Sequence, residues 1–134
     1  MPTGRHRRLD QASRRSLVSS RRERGAVEVL TVHADDVTEA DLIGRLGVDL
    51  RRAIEAGAAD ADAFVLDLSA VRFLTSAALG MLINIHAHLA DRGCRLALAG
   101  AAGNVARVLK HARLEELLPV CPTVGEAIDI LRPC

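Results

Sequence analysis

The chain has 134 residues, enough for one domain that buries roughly two-thirds of its unfolded surface and too few for two. Phe64 and Phe73 are its only aromatic residues, so the core has to be built from Leu, Val, Ile and Ala, and the lack of stacking rings weighs against a nucleic-acid-binding role. The formal charge of +1 hides an asymmetry: residues 1–24 hold eight Arg against Asp10 and Glu23, a net +6, and the remainder is net −5.

Residues 1–24 have few apolar side chains to offset the entropy of ordering, which predicts a basic, disordered N-terminal arm. Its charge is read as that of a solvated extension rather than a nucleic-acid tail. The folded domain is expected over residues 25–134. Residues 26–32, Ala-Val-Glu-Val-Leu-Thr-Val, mix alternation with β-branched residues and predict the first strand. Thr38 then offers a cap and Asp41 an acidic first turn, and Leu42, Ile43, Leu46, Leu50, Ala53 and Ile54 recur at helical spacing to about Glu55.

A small, polar loop follows over residues 56–62. Phe64-Val65-Leu66-Asp67-Leu68 predicts a strand buried on both faces, as in a parallel sheet. Thr75-Ser76 then stands where a second helix should begin. That helix is predicted over residues 76–91, stopped by Arg92-Gly93. On a 3.6-residue wheel Ala78, Leu82, Ile85 and Leu89 share a buried arc, Asn84, His88, Asp91 and Arg92 the opposite one, and Ser76 lies at the border with Gly80 one turn along.

Residues 94–99 predict another strand, and residues 100–103, Gly-Ala-Ala-Gly, a tight turn. Val105, Val108, Leu109 and Ala112 mark a third helix, Val120-Cys121 a short edge strand, and Thr123-Val124-Gly125-Glu126 a capping box opening a last helix through Ala127, Ile128 and Leu131. Strands alternating with helices imply right-handed crossovers and an α/β fold with a mostly parallel or mixed sheet of four to five strands and about four helices.

The residue chemistry favours no enzyme. No Gly-x-Ser-x-Gly elbow surrounds Ser76, and His86, the next His along, lies about 15 Å further down the same helix axis. His86 and His88 fall on different faces, so no metal site is assigned, and no cofactor is called for. Residues 100–103 lack the Gly-Lys-Ser/Thr of a phosphate loop, and Asp67 reads as a turn-stabilising side chain. Cys94, Cys121 and Cys134 are odd in number and unpaired in spacing, which fits a reduced, cytoplasmic setting. No apolar run approaches the ~20 residues of a membrane span, and the N-terminus lacks the apolar stretch of a secretory signal.

A helix start carries unpaired N–H groups and partial positive charge, which suits a cap, an anion or a covalently attached phosphate. From this chemistry alone Ser76 is more often a cap than a switch. Yet Val65-Leu66-Asp67-Leu68-Ser69, then Val71-Arg72-Phe73-Leu74-Thr75-Ser76-Ala77-Ala78-Leu79-Gly80, then residues 93–100 and the Leu114-Glu115-Glu116-Leu117-Leu118-Pro119-Val120 run, resemble in order the STAS domain of bacterial anti-sigma factor antagonists. The likeness covers about residues 26–132. It implies the SpoIIAA-like form of this α/β fold, and a protein that binds a serine-kinase anti-sigma factor and frees a sigma factor for transcription.

In that family the first serine of an Asp-Ser-Ser-Gly-Leu type motif is phosphorylated, usually ending the binding; here the motif aligns with Thr75-Ser76-Ala77-Ala78-Leu79. Ser76 inherits the phosphoacceptor position, with Thr75, Ala77 and Ala78 in place of the acidic residue, the second serine and the glycine. The resemblance implies partner contacts at Thr75, Ser76, Ala77, Gly80 and Asn84, and a PP2C-type phosphatase to reset the switch. Two alternatives stand beside it. One is a non-switching STAS module, either a stress-signalling scaffold or the cytosolic subunit of a lipid-transport ABC system. The other is a small nucleotide-binding or hydrolytic protein using residues 100–103 and Asp67.

Overall fold

Residues 16–57 and 60–131 are described by the structure, a computed structural model of the chain. Strand β1 (Val18–Glu23) turns back into β2 (Val27–Val32), followed by a two-residue strand β3 (Asp36–Val37) and helix α1 (Ala40–Gly57). Next come β4 (Ala63–Asp67), the two-residue β5 (Phe73–Leu74), α2 (Ser76–Asp91), β6 (Arg95–Ala99) and α3 (Gly103–His111). A 3-10 turn (Leu114–Glu116), β7 (Val120–Cys121) and α4 (Val124–Leu131) complete the described residues.

The main sheet has the order β1-β2-β4-β6-β7, and β3 pairs with β5 in a separate two-stranded unit. Only the β1–β2 hairpin is antiparallel; β2–β4, β4–β6 and β6–β7 are parallel. This is the α/β, mixed-sheet architecture implied by the alternation of elements, with four helices among the described residues.

Side-chain alternation divides the core into two layers. Leu30, Phe64, Leu66, Leu96 and Leu98 face α1 and α2, where they meet Leu46, Leu50, Ile54, Leu82, Ile85 and Leu89. Val29, Ala63, Val65, Ala97 and Ala99 face the other way, toward Ala127, Ile128 and Leu131 of α4. Large residues on one face and many small ones on the other let the short α4 close over the sheet. The continuous apolar run at residues 63–66 follows from β4 being the central strand, covered on both sides.

Two local expectations are corrected. The arm foreseen over residues 1–24 overlaps β1, which pairs residue for residue with β2 from Val18↔Val32 to Glu23↔Val27. Backbone pairing does the work there that apolar side chains do elsewhere. It is supplemented by buried Val18, by Arg22 Nε donating to Glu28 Oε1 at 2.6 Å, and by the Leu17 amide donating to Asp49 at 2.9 Å. A polar edge strand therefore looks like an arm on composition alone. The rest of that segment, residues 1–15, lies outside the described residues. Thr38 is not the α1 cap: its hydroxyl donates to Asp36 Oδ1 at 2.6 Å, and the helix starts at Ala40.

Candidate functional site

The start of α2 is held by three separate elements. The Asp35 carbonyl accepts from the amides of Arg72 (2.6 Å) and Phe73 (3.1 Å), tying β5 to the β3 segment. On the other side the Asn104 side-chain oxygen of α3 accepts from the Leu74 amide at 3.2 Å. Buried Leu74 and Val37 pair in the small parallel ladder between. Asn104 thus serves as a positioning residue for the helix start. The sequence alone did not single it out.

The hydroxyl pair divides its roles. Thr75 has extended backbone (φ −105°, ψ 171°) and its Oγ1 accepts from the Ala78 amide at 3.4 Å, which makes it the N-cap. Ser76 is the first helical residue; it is exposed, and its hydroxyl makes no hydrogen bond among the described residues. The cap at Thr75 satisfies one orphan amide and leaves Ser76 without a structural task.

This division predicts an asymmetry in stability. Thr75→Ala is expected to cost about 0.5–1 kcal/mol, the low end for a lost cap because the bond is long, and Ser76→Ala to fall within about 0.5 kcal/mol of the parent. Urea unfolding of both variants checks it; a larger loss for Ser76→Ala would assign the cap to the other hydroxyl.

Beside Ser76 a groove runs between α1 and α2, lined by Ile43, Gly44, Gly47, Val48 and Arg51 from one helix and Ala77, Gly80, Met81, Asn84 and Ile85 from the other. A Cβ placed on Gly44 or Gly80 would meet nothing within 4 Å, so these positions are open floor. A Cβ on Gly47 would lie 3.3 Å from Met81, so that glycine serves helix packing. Ala77, Gly80 and Asn84 line this groove, while Thr75 and Ser76 stand at its helix-start end. The α1 half was not read from the sequence, although Gly44 and Gly47 at helical spacing beside the half-exposed Val48 carry the signal. Phe73, 48 % exposed two residues before the cap, is a further apolar side chain at this end.

His88, on the outer arc of α2, and Arg92, its C-cap residue, both reach Glu55 of α1, His88 Nε2 at 3.2 Å and Arg92 at 2.5 Å. They brace the two helices beyond the groove. Half-buried His86 is not part of that arrangement.

The other sequence candidates have structural tasks. Asp67 Oδ1 accepts from the Ser69 amide at 3.0 Å, and Gly100 (φ +80°) packs so closely that a Cβ would sit 3.0 Å from both Asp67 Oδ1 and Ser69 Cβ. Burial, reinforced by Glu126, pushes the Cys121 thiol above its ordinary range. Among the described residues no group of three or more His, Cys, Asp or Glu side chains is placed to hold a metal ion. Nor is any described helix long and apolar enough to cross a membrane.

The family model for the STAS domain matches residues 17–127. The chain belongs to the STAS domain family. The match begins at β1, in keeping with the hairpin. Among solved structures, an anti-sigma factor antagonist from Mycobacterium paratuberculosis is 25% identical, with a TM-score of 0.68, over 87% of this chain and 93% of that one. The Bacillus cell fate determinant SpoIIAA in its phosphorylated form is 16% identical, with a TM-score of 0.60, over 86% and 99%. A sulfate transporter family protein from Wolinella succinogenes is 17% identical, with a TM-score of 0.64, over 78% and 84%. No match was found among curated protein sequences. Chains with this fold thus include an anti-sigma factor antagonist and a transporter-family protein.

Proposed function

We propose that this STAS protein is a cytosolic anti-sigma factor antagonist, a regulator rather than an enzyme. The α2 start and the α1–α2 groove dock a serine-kinase anti-sigma factor, which then releases its sigma factor for transcription. Phosphate on Ser76 ends the contact until a PP2C-type phosphatase removes it. Thr75, Ser76, Ala77, Gly80 and Asn84 form the α2 side of the contact.

One observation carries this reading: Thr75 takes the capping role and leaves Ser76 exposed at the first helical position, at the end of a groove floored by Gly44 and Gly80. A neutral hydroxyl beside such a low surface lets a partner backbone approach closely. A phosphate there would add about −1.5 to −2 charge and three acceptor oxygens at the point of closest approach.

Gly80→Leu tests the docking claim by separating fold from binding. At an exposed helical position the change removes glycine's helix penalty of about 1 kcal/mol, so stability should hold or rise. Binding to the serine-kinase anti-sigma factor, measured by calorimetry, should weaken by about thirtyfold or more as the side chain fills the groove floor. Parent-like affinity would remove the groove from the interface.

A second reading, a non-switching module in a stress-signalling scaffold or a transport assembly, draws on Thr75, Ala77 and Ala78 at the motif positions and on the fold shared with the transporter-family chain. Direct binding to a scaffold or an ABC ATPase with none to the kinase would favour it.

A further inference from the structure

Helices α1 and α2 each connect neighbouring parallel strands, β2 to β4 and β4 to β6, so they lie side by side and run in the same direction. Their cross-contacts set the register. A Cβ on Gly47 would lie 3.3 Å from Met81, Arg51 Nη1 stands 3.5 Å from His88 Nδ1, and Glu55 is reached by His88 and Arg92. The groove between the helices therefore has one end at Ala77, beside Ser76, and the other at Arg51 and Asn84. From Ile43 to Arg51 it follows about 12 Å of helix, a little over two turns.

Among the described residues lining this groove, Arg51 alone is charged. Its exposed side chain is placed by His88. A guanidinium has N–H donors and no acceptor, so the His88 nitrogen beside it presents a lone pair, and the ring proton sits on Nε2, 3.2 Å from Glu55 Oε2. The same Glu55 oxygen takes the Arg92 guanidinium. Arg92 thus matches the carboxylate, while Arg51 meets a lone pair rather than a charge.

We infer that Arg51 reads a carboxylate on the partner, and that His88 is the positioning residue that holds it at the groove end. This rests on the docking face proposed for the groove. The occupant is a helical segment of the partner, a little over two turns long, small or apolar over Gly44 and Gly80 and acidic where it meets Arg51. A helix brings its own backbone hydrogen bonds, whereas an extended segment needs a sheet edge, which a pair of helices does not offer. A carboxylate suits Arg51 because a planar guanidinium forms paired, charge-assisted hydrogen bonds with it. A neutral group there would leave the cation desolvated without compensation.

The test is affinity for the serine-kinase anti-sigma factor, measured by calorimetry at low and high salt, with Gly80→Leu run alongside. Arg51→Ala should weaken binding about tenfold at low salt and flatten its salt dependence, and Arg51→Glu should weaken it further. His88→Leu should weaken binding about threefold, whereas His88→Asn, whose side-chain oxygen takes the place of Nδ1, should restore it. Urea midpoints of the Arg51 variants should match the parent, since that side chain is exposed. Parent-like affinity of Arg51→Ala beside a weakened Gly80→Leu would overturn this inference and leave the docking face standing. Parent-like affinity in both would remove the docking face and the inference with it. A loss for Arg51→Ala that is equal at both salt concentrations would also overturn it, because that assigns Arg51 a packing role.

Discussion

Phosphate on Ser76 should weaken binding to the serine-kinase anti-sigma factor by about a hundredfold, equivalent to about 3 kcal/mol. Two opposing effects decide the sign. In the free protein the phosphate sits at the first position of a 16-residue helix, where the macrodipole and open amides favour an anion by about 0.3–1 kcal/mol. In the complex the same group has to be desolvated against a surface fitted to a hydroxyl, at a cost of several kcal/mol unless the partner supplies cations. The second effect is larger, so phosphorylation should release the partner while leaving the free domain as stable as before, or slightly more so. Ser76→Asp should reproduce part of the loss, because a carboxylate carries less charge and bulk. Calorimetric titration of the three forms, each checked by urea unfolding, measures both quantities. A phosphorylated protein that binds as tightly as the unmodified one would detach Ser76 from control.

Phe64→Ala should cost about 3–5 kcal/mol, a large share of the 5–15 kcal/mol that typically separates folded from unfolded domains. Phe64 is fully buried on β4 in the layer under α1 and α2. Its removal leaves a cavity that the rigid central strand, paired on both sides, relaxes into poorly. The chain holds no Trp or Tyr to fill it. The other aromatic residue is the internal control: Phe73 is 48 % exposed, and Phe73→Ala should cost less than about 1 kcal/mol. Urea unfolding should show the midpoint of Phe64→Ala falling sharply with an unchanged slope. Similar midpoints for the two variants would contradict the layer assignment.

The contrast between those two phenylalanines also marks what the sequence could and could not tell. Phe64 sits inside a continuous apolar run, and such runs announce a two-sided central strand, so β4, its neighbours and the alternation with helices were legible. Thr123 was legible as a cap because an acidic residue stands three positions on, and its hydroxyl does accept from the Glu126 amide at 3.1 Å. The β1–β2 hairpin was not. Ser19, Ser20, Arg21 and Arg22 carry no apolar alternation, and the strand is held by ladder bonds and by a turn in which Arg24 and Gly25 both have positive φ. Nor was the β3–β5 pairing, because two-residue strands leave no periodic trace.

At the site, Ser76 and Gly80 could be placed from helical spacing. The assignment of the cap to Thr75 needed backbone geometry, since either hydroxyl fits a helix start by residue type. The α1 half of the groove depended on which face of one helix meets which face of another, information that lies in packing and not in either segment alone.

The most direct measurement is to incubate the purified protein with its serine-kinase anti-sigma factor and ATP, map phosphate by mass spectrometry, and assay the complex before and after. The expected result is a single phosphate on Ser76, none on the capping Thr75, and dissociation in step with modification. An active kinase that binds the protein yet leaves Ser76 unmodified would contradict it.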